Sequence, residues 1–146
     1  MTTYVTENHN LDDVRGLLSS FISEGVHAKS RVREENVSGF LSSPDALVVV
    51  AYYDDKPAGM LIAVAWEHPL FTGRRVSDML VYVLPEYRGG AIAPRLVKMM
   101  EAWAKNRDAE YMMLGQSTGI GDPVRVIKFY ERLGYTMTGF NCYKEF

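Results

Sequence analysis

The segment Val81-Tyr-Val-Leu-Pro-Glu-Tyr-Arg88-Gly89-Gly90-Ala91-Ile92-Ala93 decides the fold. It begins as a strand, passes through a glycine-rich turn and enters a helix with an apolar stripe. Small residues let a backbone approach a ligand closely, and a helix start presents unpaired N–H groups and a positive dipole end. The Arg88 guanidinium adds a cation suited to phosphate oxygens. The segment therefore predicts a pyrophosphate site, although such a turn also occurs as a plain connection.

The rest of the chain alternates between strand and helix patterns. The predicted strands are Thr2–Thr6, Leu47–Tyr53, Ala58–Trp66, Arg75–Val83, Glu110–Leu114, Tyr135–Gly139 and Asn141–Phe146. The predicted helices are Leu11–Ile22 after an Asn10 cap, Arg33–Leu41, Ile92–Lys105, and a fourth from Asp122-Pro123 to Gly134. Strands first and a β–α–β crossover later indicate an α/β or α+β fold with a mixed sheet.

Length and composition restrict the class of protein. With 146 residues, 47% of them hydrophobic and 23% charged, we expect one globular domain over residues 1–146 rather than a disordered chain. The net charge is −2 and the basic residues are scattered, so no bulk nucleic-acid binding is expected. One cysteine and three dispersed histidines predict neither a disulfide nor a metal site, and the cysteine suits a reducing compartment. Because no apolar run approaches the roughly 20 residues of a membrane span, we expect a cytoplasmic protein with no membrane contact.

Two segments resemble signatures of the GNAT family of N-acetyltransferases. Val83–Ala93 is similar to the family's coenzyme A loop, Arg/Gln-x-x-Gly-x-Gly/Ala, and Ile127–Tyr135 is similar to its helix ending in Phe-Tyr-Glu-Lys-x-Gly-Phe. Two separate matches at the expected distance are far more specific than either alone. The sequence departs from the pattern at Ala91, Pro123 and Val126, which stand where relatives most often have a glycine, an asparagine and a small residue.

The resemblance covers essentially the whole chain and has consequences for fold and cofactor. It implies a mixed, mostly antiparallel sheet of seven strands with about four helices. It also implies that strands 4 and 5 splay apart and that acetyl-CoA binds in the split. The backbone at the edge of strand 4 would bind the pantetheine arm as an added strand does, and the loop would hold the pyrophosphate. The cofactor-binding residues implied in this way are Val81, Val83, Arg88, Gly89, Gly90, Ala91, Ile92 and Ala93.

Tyr130 matches the family's frequent general acid. When an amine attacks a thioester, coenzyme A leaves as a thiolate, and a phenol near the sulfur can deliver a proton to it. A free thiol has a pKa of ~8.5 and a tyrosine of ~10, so the transfer needs no extreme tuning. The alternative is a tyrosine that only packs its helix against the sheet.

The general base has three candidates. The attacking amine must be neutral, so a carboxylate, or a water that it positions, must take a proton. Asp78 is the first candidate, and period-two alternation places it on the same face as Leu80 and Tyr82. Glu67 and His68, at the end of the preceding strand, are the others. Each could instead be a solvated strand-end residue, and a carboxylate at position 78 could equally attract a cationic substrate.

Together these features predict an acetyl-CoA-dependent N-acetyltransferase that acts on a primary amine of a small molecule or protein in a ternary complex. The loops Ser23–Arg33 and Trp66–Arg74 are expected to shape the acceptor pocket. Two alternatives remain: a non-catalytic module of the same fold that binds a partner protein, and an acetylator of aminoacyl-tRNA, as in toxins of the family. The exposed edge of a late hairpin, Tyr135–Phe146, predicts a homodimer.

Overall fold

The computed structural model describes residues 2–7, 9–25, 27–116 and 118–146, and is built around one five-stranded sheet in the order β1-β2-β3-β4-β5. The strands are β1 Thr3–Thr6, β2 Ala46–Tyr53, β3 Lys56–Glu67, β4 Arg74–Val83 and β5 Tyr111–Met113. The helices are α1 Leu11–Glu24, α2 Glu34–Ser42, α3 Ile92–Asn106 and α4 Pro123–Arg132, with a short 3-10 turn at Pro85–Tyr87. These elements confirm the α/β prediction. The predicted Ser23–Arg33 loop includes Val26, which lies outside the described residues.

The sheet is covered on both faces, and each face has its own hydrophobic core. α1 and α2 pack on one face, around Val50, Met60 and Tyr82. α3 packs on the other, around Val49, Leu61 and Val76. Neighbouring residues of the central strands therefore alternate between two cores, which is why these strands read as nearly continuous apolar runs.

Local signals explain where the elements begin and turn. The side chains of Asn10 and Asp122 accept hydrogen bonds from the first-turn amides of α1 and α4, as the predicted N-caps should. Asp54 and Asp55 have positive φ angles of 47° and 61° between paired Tyr53 and Lys56. A two-residue loop with both residues at positive φ matches the right-handed twist of a β-hairpin.

The prediction of seven strands is wrong, because the two C-terminal strands do not form. The described residues 135–146 contain no strand, and the sheet ends at β5. The alternating apolar residues of this segment suggested strands, but in the part of the chain that the structure describes most of these side chains lie exposed. Phe140 is 84% exposed, and Met137 and Tyr143 are more than half exposed. Strands with no buried face gain little by pairing.

The splay between the fourth and fifth strands is confirmed. β5 runs parallel to β4 and pairs with it only along Arg75–Ser77. β4 continues to Val83 while the chain of β5 leaves the sheet, so the edge of β4 from Asp78 onward faces an open split. The other three strand pairs, β1–β2, β2–β3 and β3–β4, are antiparallel.

Candidate active site

The backbone of β4 presents hydrogen-bonding groups to the split. The N–H of Leu84 donates to the carbonyl of Ala58 at 2.9 Å, so this side of the peptide faces β3. The carbonyl of Val83 belongs to the same peptide and points the opposite way, into the split. Backbone groups alternate in direction along a strand, so those of Val81 also face the split. This orientation is the one that the sequence prediction requires of both residues.

A β-bulge at Met79 decides which way Asp78 faces. Leu80 lies opposite Ile62 and Asp78 lies opposite Ala63, so Met79 has no partner on β3. Cross-strand partners share a face, and Ala63 belongs to the core beneath α3.

The bulge corrects the predicted alternation. Leu80 and Tyr82 belong to the core beneath α1 and α2, whereas the partner of Asp78 belongs to the opposite core. Strict period-two alternation would have placed all three side chains together. The extra residue instead moves Asp78 to the α3 side.

Asp78, Gly115 and Tyr130 meet where β4 and β5 diverge. The N–H of Gly115 donates to Oδ1 of Asp78 at 3.0 Å. The carbonyl of the same residue accepts from the Tyr130 hydroxyl at 3.5 Å, the long limit for such a bond. The two predicted catalytic side chains, which come from β4 and α4, are therefore held against one residue at the split.

Burial shifts both ionisable groups of this cluster. Burial raises the pKa of Asp78 from 3.8 to about 6, and the Gly115 N–H opposes the rise. Burial also raises the pKa of Tyr130, and the negative charge of Asp78 raises it further. Asp78 therefore titrates close to neutral pH, where a proton acceptor is most effective, while Tyr130 stays protonated.

The glycine-rich loop before α3 has the geometry of an anion site. Gly89 has φ +82°, a left-handed conformation that favours glycine, and a Cβ at this position would meet no atom within 4 Å. Ala91 has φ −83°, so an alanine at this position is not strained where relatives have glycine. No side chain caps the start of α3, which leaves the first N–H groups of the helix to an external partner.

Arg88 is already engaged by protein groups. Its Nη1 lies 2.6 Å from Oε1 of Glu24, and its Nη2 donates to Oε2 at 2.7 Å. Its Nε donates to the carbonyl of Val83 at 2.8 Å, and the hydroxyl of Tyr82 donates to the same Glu24 carboxylate at 2.6 Å. No sequence motif indicated Glu24 as part of this site.

The structure does not bring the other two candidate bases to the split. Glu67 lies opposite Arg74 on the neighbouring strand, at the end of the β3–β4 pairing that is away from the split. His68 Nδ1 accepts the backbone N–H of Leu70, and its ring stacks on Phe71 at 4.5 Å between centroids. Both residues organise the β3–β4 connection.

A cavity of about 270 Å³ lies on the opposite face, between α1, α2 and the sheet. Its wall is largely apolar and includes Ile22, Phe40, Met79 and Leu80. The exposed residues Arg31 and Arg33 also line it. The segment predicted to shape the acceptor pocket therefore contributes to a cavity next to the bulge.

Among the described residues, no group of three His, Cys, Asp or Glu side chains is arranged to hold a metal ion. In the same part of the chain, none of the helices combines the length and apolar character needed to cross a bilayer.

Comparison with known proteins gives one family and several structural relatives. The profile of the Acetyltransferase (GNAT) family matches residues 12–135. The aminoglycoside N(6')-acetyltransferase type 1 of Acinetobacter genomosp. 13 is 27% identical, over 74% of this chain and 84% of its own.

Two solved structures extend the likeness to the fold. A transcriptional regulator from Bacillus halodurans C-125 superimposes with a TM-score of 0.80 at 17% identity, covering 99% of this chain and 100% of its own. AAC(6')-Iy, in complex with the bisubstrate analogue CoA-S-monomethyl-acetylneamine, has a TM-score of 0.77 at 16% identity. The match covers 99% of this chain and 98% of the AAC(6')-Iy chain. At these identities the likeness shows a shared fold.

Proposed function

Because the chain belongs to the GNAT acetyltransferase family, we propose that it transfers the acetyl group of acetyl-CoA to a primary amine of a small molecule. The family match and the curated relative confirm the prediction of an enzyme, an N-acetyltransferase. The proposal adds the donor, the class of acceptor and the residues that act. In this proposal residues 1–146 form one domain, and the acetyl group passes directly from acetyl-CoA to the amine within a ternary complex. A cytoplasmic location stays a prediction from composition.

The observation that carries the proposal is the meeting of Asp78 and Tyr130 on Gly115 at the mouth of the split. We assign Asp78 as the proton acceptor for the incoming amine, directly or through one water. Its pKa of about 6 leaves it ionised at pH 7 and still basic enough to bind a proton. We assign Tyr130 as the donor that protonates the departing thiolate.

The two assignments support each other electrostatically. The negative charge of Asp78 is the second cause, after burial, of the raised pKa of Tyr130. Once Asp78 has taken the proton of the amine it is neutral, and that contribution disappears. The Tyr130 hydroxyl then becomes a stronger acid at the stage when a thiolate must be protonated. Amine deprotonation and thiolate protonation are coupled in this way.

The residues around the split suit the binding of acetyl-CoA. An extended pantetheine arm can pair with the N–H and C=O groups of Val81 along the open edge of β4, as an added strand would. The loop Gly89–Ala93 and the uncapped start of α3 offer N–H groups to a pyrophosphate. When bound, acetyl-CoA supplies an activated thioester, and the protein contributes positioning and proton transfer.

Two observations guide the choice of acceptor. The relative from Acinetobacter is named an aminoglycoside acetyltransferase. An aminoglycoside amine is therefore the first acceptor to test. The cavity beside Met79 has an apolar wall with two arginines, Arg31 and Arg33, among its lining residues. That surface favours an amine with an apolar body and an acidic group, and it repels a polycation. The acceptor panel therefore needs both chemistries.

The test is release of free thiol from acetyl-CoA by the purified protein across a panel of amines. The panel holds aminoglycosides, alkyl and aryl amines with and without a carboxylate, polyamines and peptides. We expect acceptor-dependent thiol release with at least one small amine, and its loss in Asp78→Asn. A folded protein that neither releases thiol nor gains thermal stability from millimolar acetyl-CoA would refute the proposed function.

A further inference from the structure

The Arg88–Glu24 ion pair joins two parts of the molecule that the proposed function assigns to different substrates. Arg88 begins the glycine-rich loop, and Glu24 is the last residue of α1, 64 positions earlier in the sequence. Both oxygens of the carboxylate contact the guanidinium, while Nε of Arg88 donates to the Val83 carbonyl. Three charge-assisted hydrogen bonds thus fix the side chain, and a two-pronged pair of this kind is specific in direction as well as strong.

Tyr82 completes the arrangement from the sheet. Its hydroxyl donates to Oε2 of Glu24 at 2.6 Å, and the Arg88 Cζ lies 5.6 Å from the centre of its ring. The same ring packs edge-to-face on Phe21 of α1. Hydrogen bonding from Arg88 lowers the pKa of Glu24, so the carboxylate stays charged and the pair stays intact at neutral pH.

The end of α1 also touches the other wall of the split. A Cβ on Gly25 would lie 2.5 Å from the carbonyl oxygen of Thr118, in the segment that follows β5. Only a glycine allows this close backbone approach. Glu24 and Gly25 therefore bridge the glycine-rich loop on one side and the Thr118–Ile120 segment on the other.

We propose, on the basis of the acetyl-CoA function above, that Glu24 and Arg88 are positioning residues for the coenzyme. Arg88 holds the loop in its binding conformation through Glu24 and Val83, and backbone N–H groups, not the guanidinium, bind the phosphates. Turning Arg88 toward a phosphate would leave the carboxylate of Glu24 without its cation next to a polyanion. With the pair intact, the uncapped N–H groups at the start of α3 remain available as donors to the phosphates.

Direct phosphate binding by Arg88 makes the opposite prediction at Glu24. If the guanidinium contacted the phosphates, removing the carboxylate would free a cation and delete a nearby negative charge, and coenzyme A would bind more tightly. If the pair positions the loop, Glu24→Gln must weaken binding, although it removes negative charge. The sign of the effect separates the two roles.

The experiment measures the Kd of coenzyme A by calorimetry for the wild-type protein, Glu24→Gln and the control Glu86→Gln. Glu86 lies in the 3-10 turn beside the loop, so its removal changes the local charge without breaking the pair. We expect Glu24→Gln to weaken binding about three- to ten-fold, in line with the net contribution of one ordinary hydrogen bond. We expect Glu86→Gln to leave binding unchanged or slightly tighter. A Glu24→Gln protein that binds as tightly as wild type, or more tightly, overturns the proposal.

Two arginine variants give a second, independent test. Arg88→Lys keeps the charge but cannot bridge Glu24 and Val83, so it should lose as much affinity as Arg88→Ala. The exchanged pair Glu24→Arg with Arg88→Glu should recover part of the loss. An Arg88→Lys protein with wild-type affinity overturns the proposal, even where the exchanged pair does not fold. A folded wild-type protein that binds no coenzyme A refutes the proposed function itself.

Discussion

The substitution Asp78→Asn should make the protein more stable and less active at once. The carboxylate lies at the divergence of β4 and β5, where burial raises its pKa from 3.8 to about 6. Ionised Asp78 is therefore less favourable in the folded protein than in the unfolded chain. Asparagine has the same shape, its Oδ1 can still accept the Gly115 N–H, and it carries no charge.

The size and sign of the stability effect follow from linkage. A carboxyl group whose folded pKa is raised stabilises the fold only while protonated, and this advantage is lost as pH rises from about 4 to about 6. At pH 8 the wild-type protein carries a cost of ~1–3 kcal/mol, of which the upper value corresponds to the full pKa difference. Asp78→Asn removes that cost at pH 8, removes only about a third of it at pH 4.5, and has little effect only well below pH 4.

The assay is urea unfolding at pH 8 and pH 4.5, with Asp122→Asn as the control. Asparagine caps a helix about as well as aspartate, so the control should change the unfolding free energy little at either pH. In parallel, single-turnover acetyl transfer by Asp78→Asn should fall by ~10²–10⁴-fold, the usual contribution of a general base. Equal stability of Asp78→Asn and wild type at pH 8 would refute the burial argument, and wild-type transfer would refute the base.

Three further predictions concern the acid, the packing and the assembly. Tyr130→Phe should lower the single-turnover rate by ~10²–10⁴-fold with little change in melting temperature, and a wild-type rate would end the acid assignment. Gly59→Ala should destabilise the fold by ~1–3 kcal/mol in urea unfolding, because its Cβ would lie 2.8 Å from the Tyr82 carbonyl oxygen. The matched control is Gly16→Ala on α1, where a Cβ would meet no atom within 4 Å, and it should not destabilise the fold. Light scattering at micromolar concentration should give a dimer mass, since residues 135–146 expose large apolar side chains; a monomer mass would show that prediction to be wrong.

Local chemistry made most of the fold predictable from the sequence. Caps such as Asn10 and Asp122 act within three residues, and apolar periodicity records which face of an element is buried. The two short motifs also place the glycine-rich loop and Tyr130 in one site, which stays a prediction. The C-terminal hairpin failed because strand formation depends on what the strand packs against, and alternation alone does not supply a partner.

The unpredicted parts of the site depend on distant pairs or on register. Glu24 and Arg88 are 64 positions apart, and nothing in either local sequence identifies the other as its partner. Gly115 takes part through its backbone, which carries no side-chain signal at all. The bulge at Met79 lies in an unbroken apolar run, so the strand pattern gave no sign that one residue lacks a partner.

The bulge also makes the position of the carboxylate depend on the number of residues in β3 and β4. Loss of the single codon for Met79 would remove the unpaired residue, and regular alternation would keep Asp78 on the α3 side and Leu80 on the other. One residue added to β3 between Ile62 and Ala63 would instead give Met79 a partner, and strict alternation would then turn Asp78 to the α1–α2 side. Every residue assigned to proton transfer would remain in the gene of such a relative, yet the acid and the base would lie on opposite sides of the sheet.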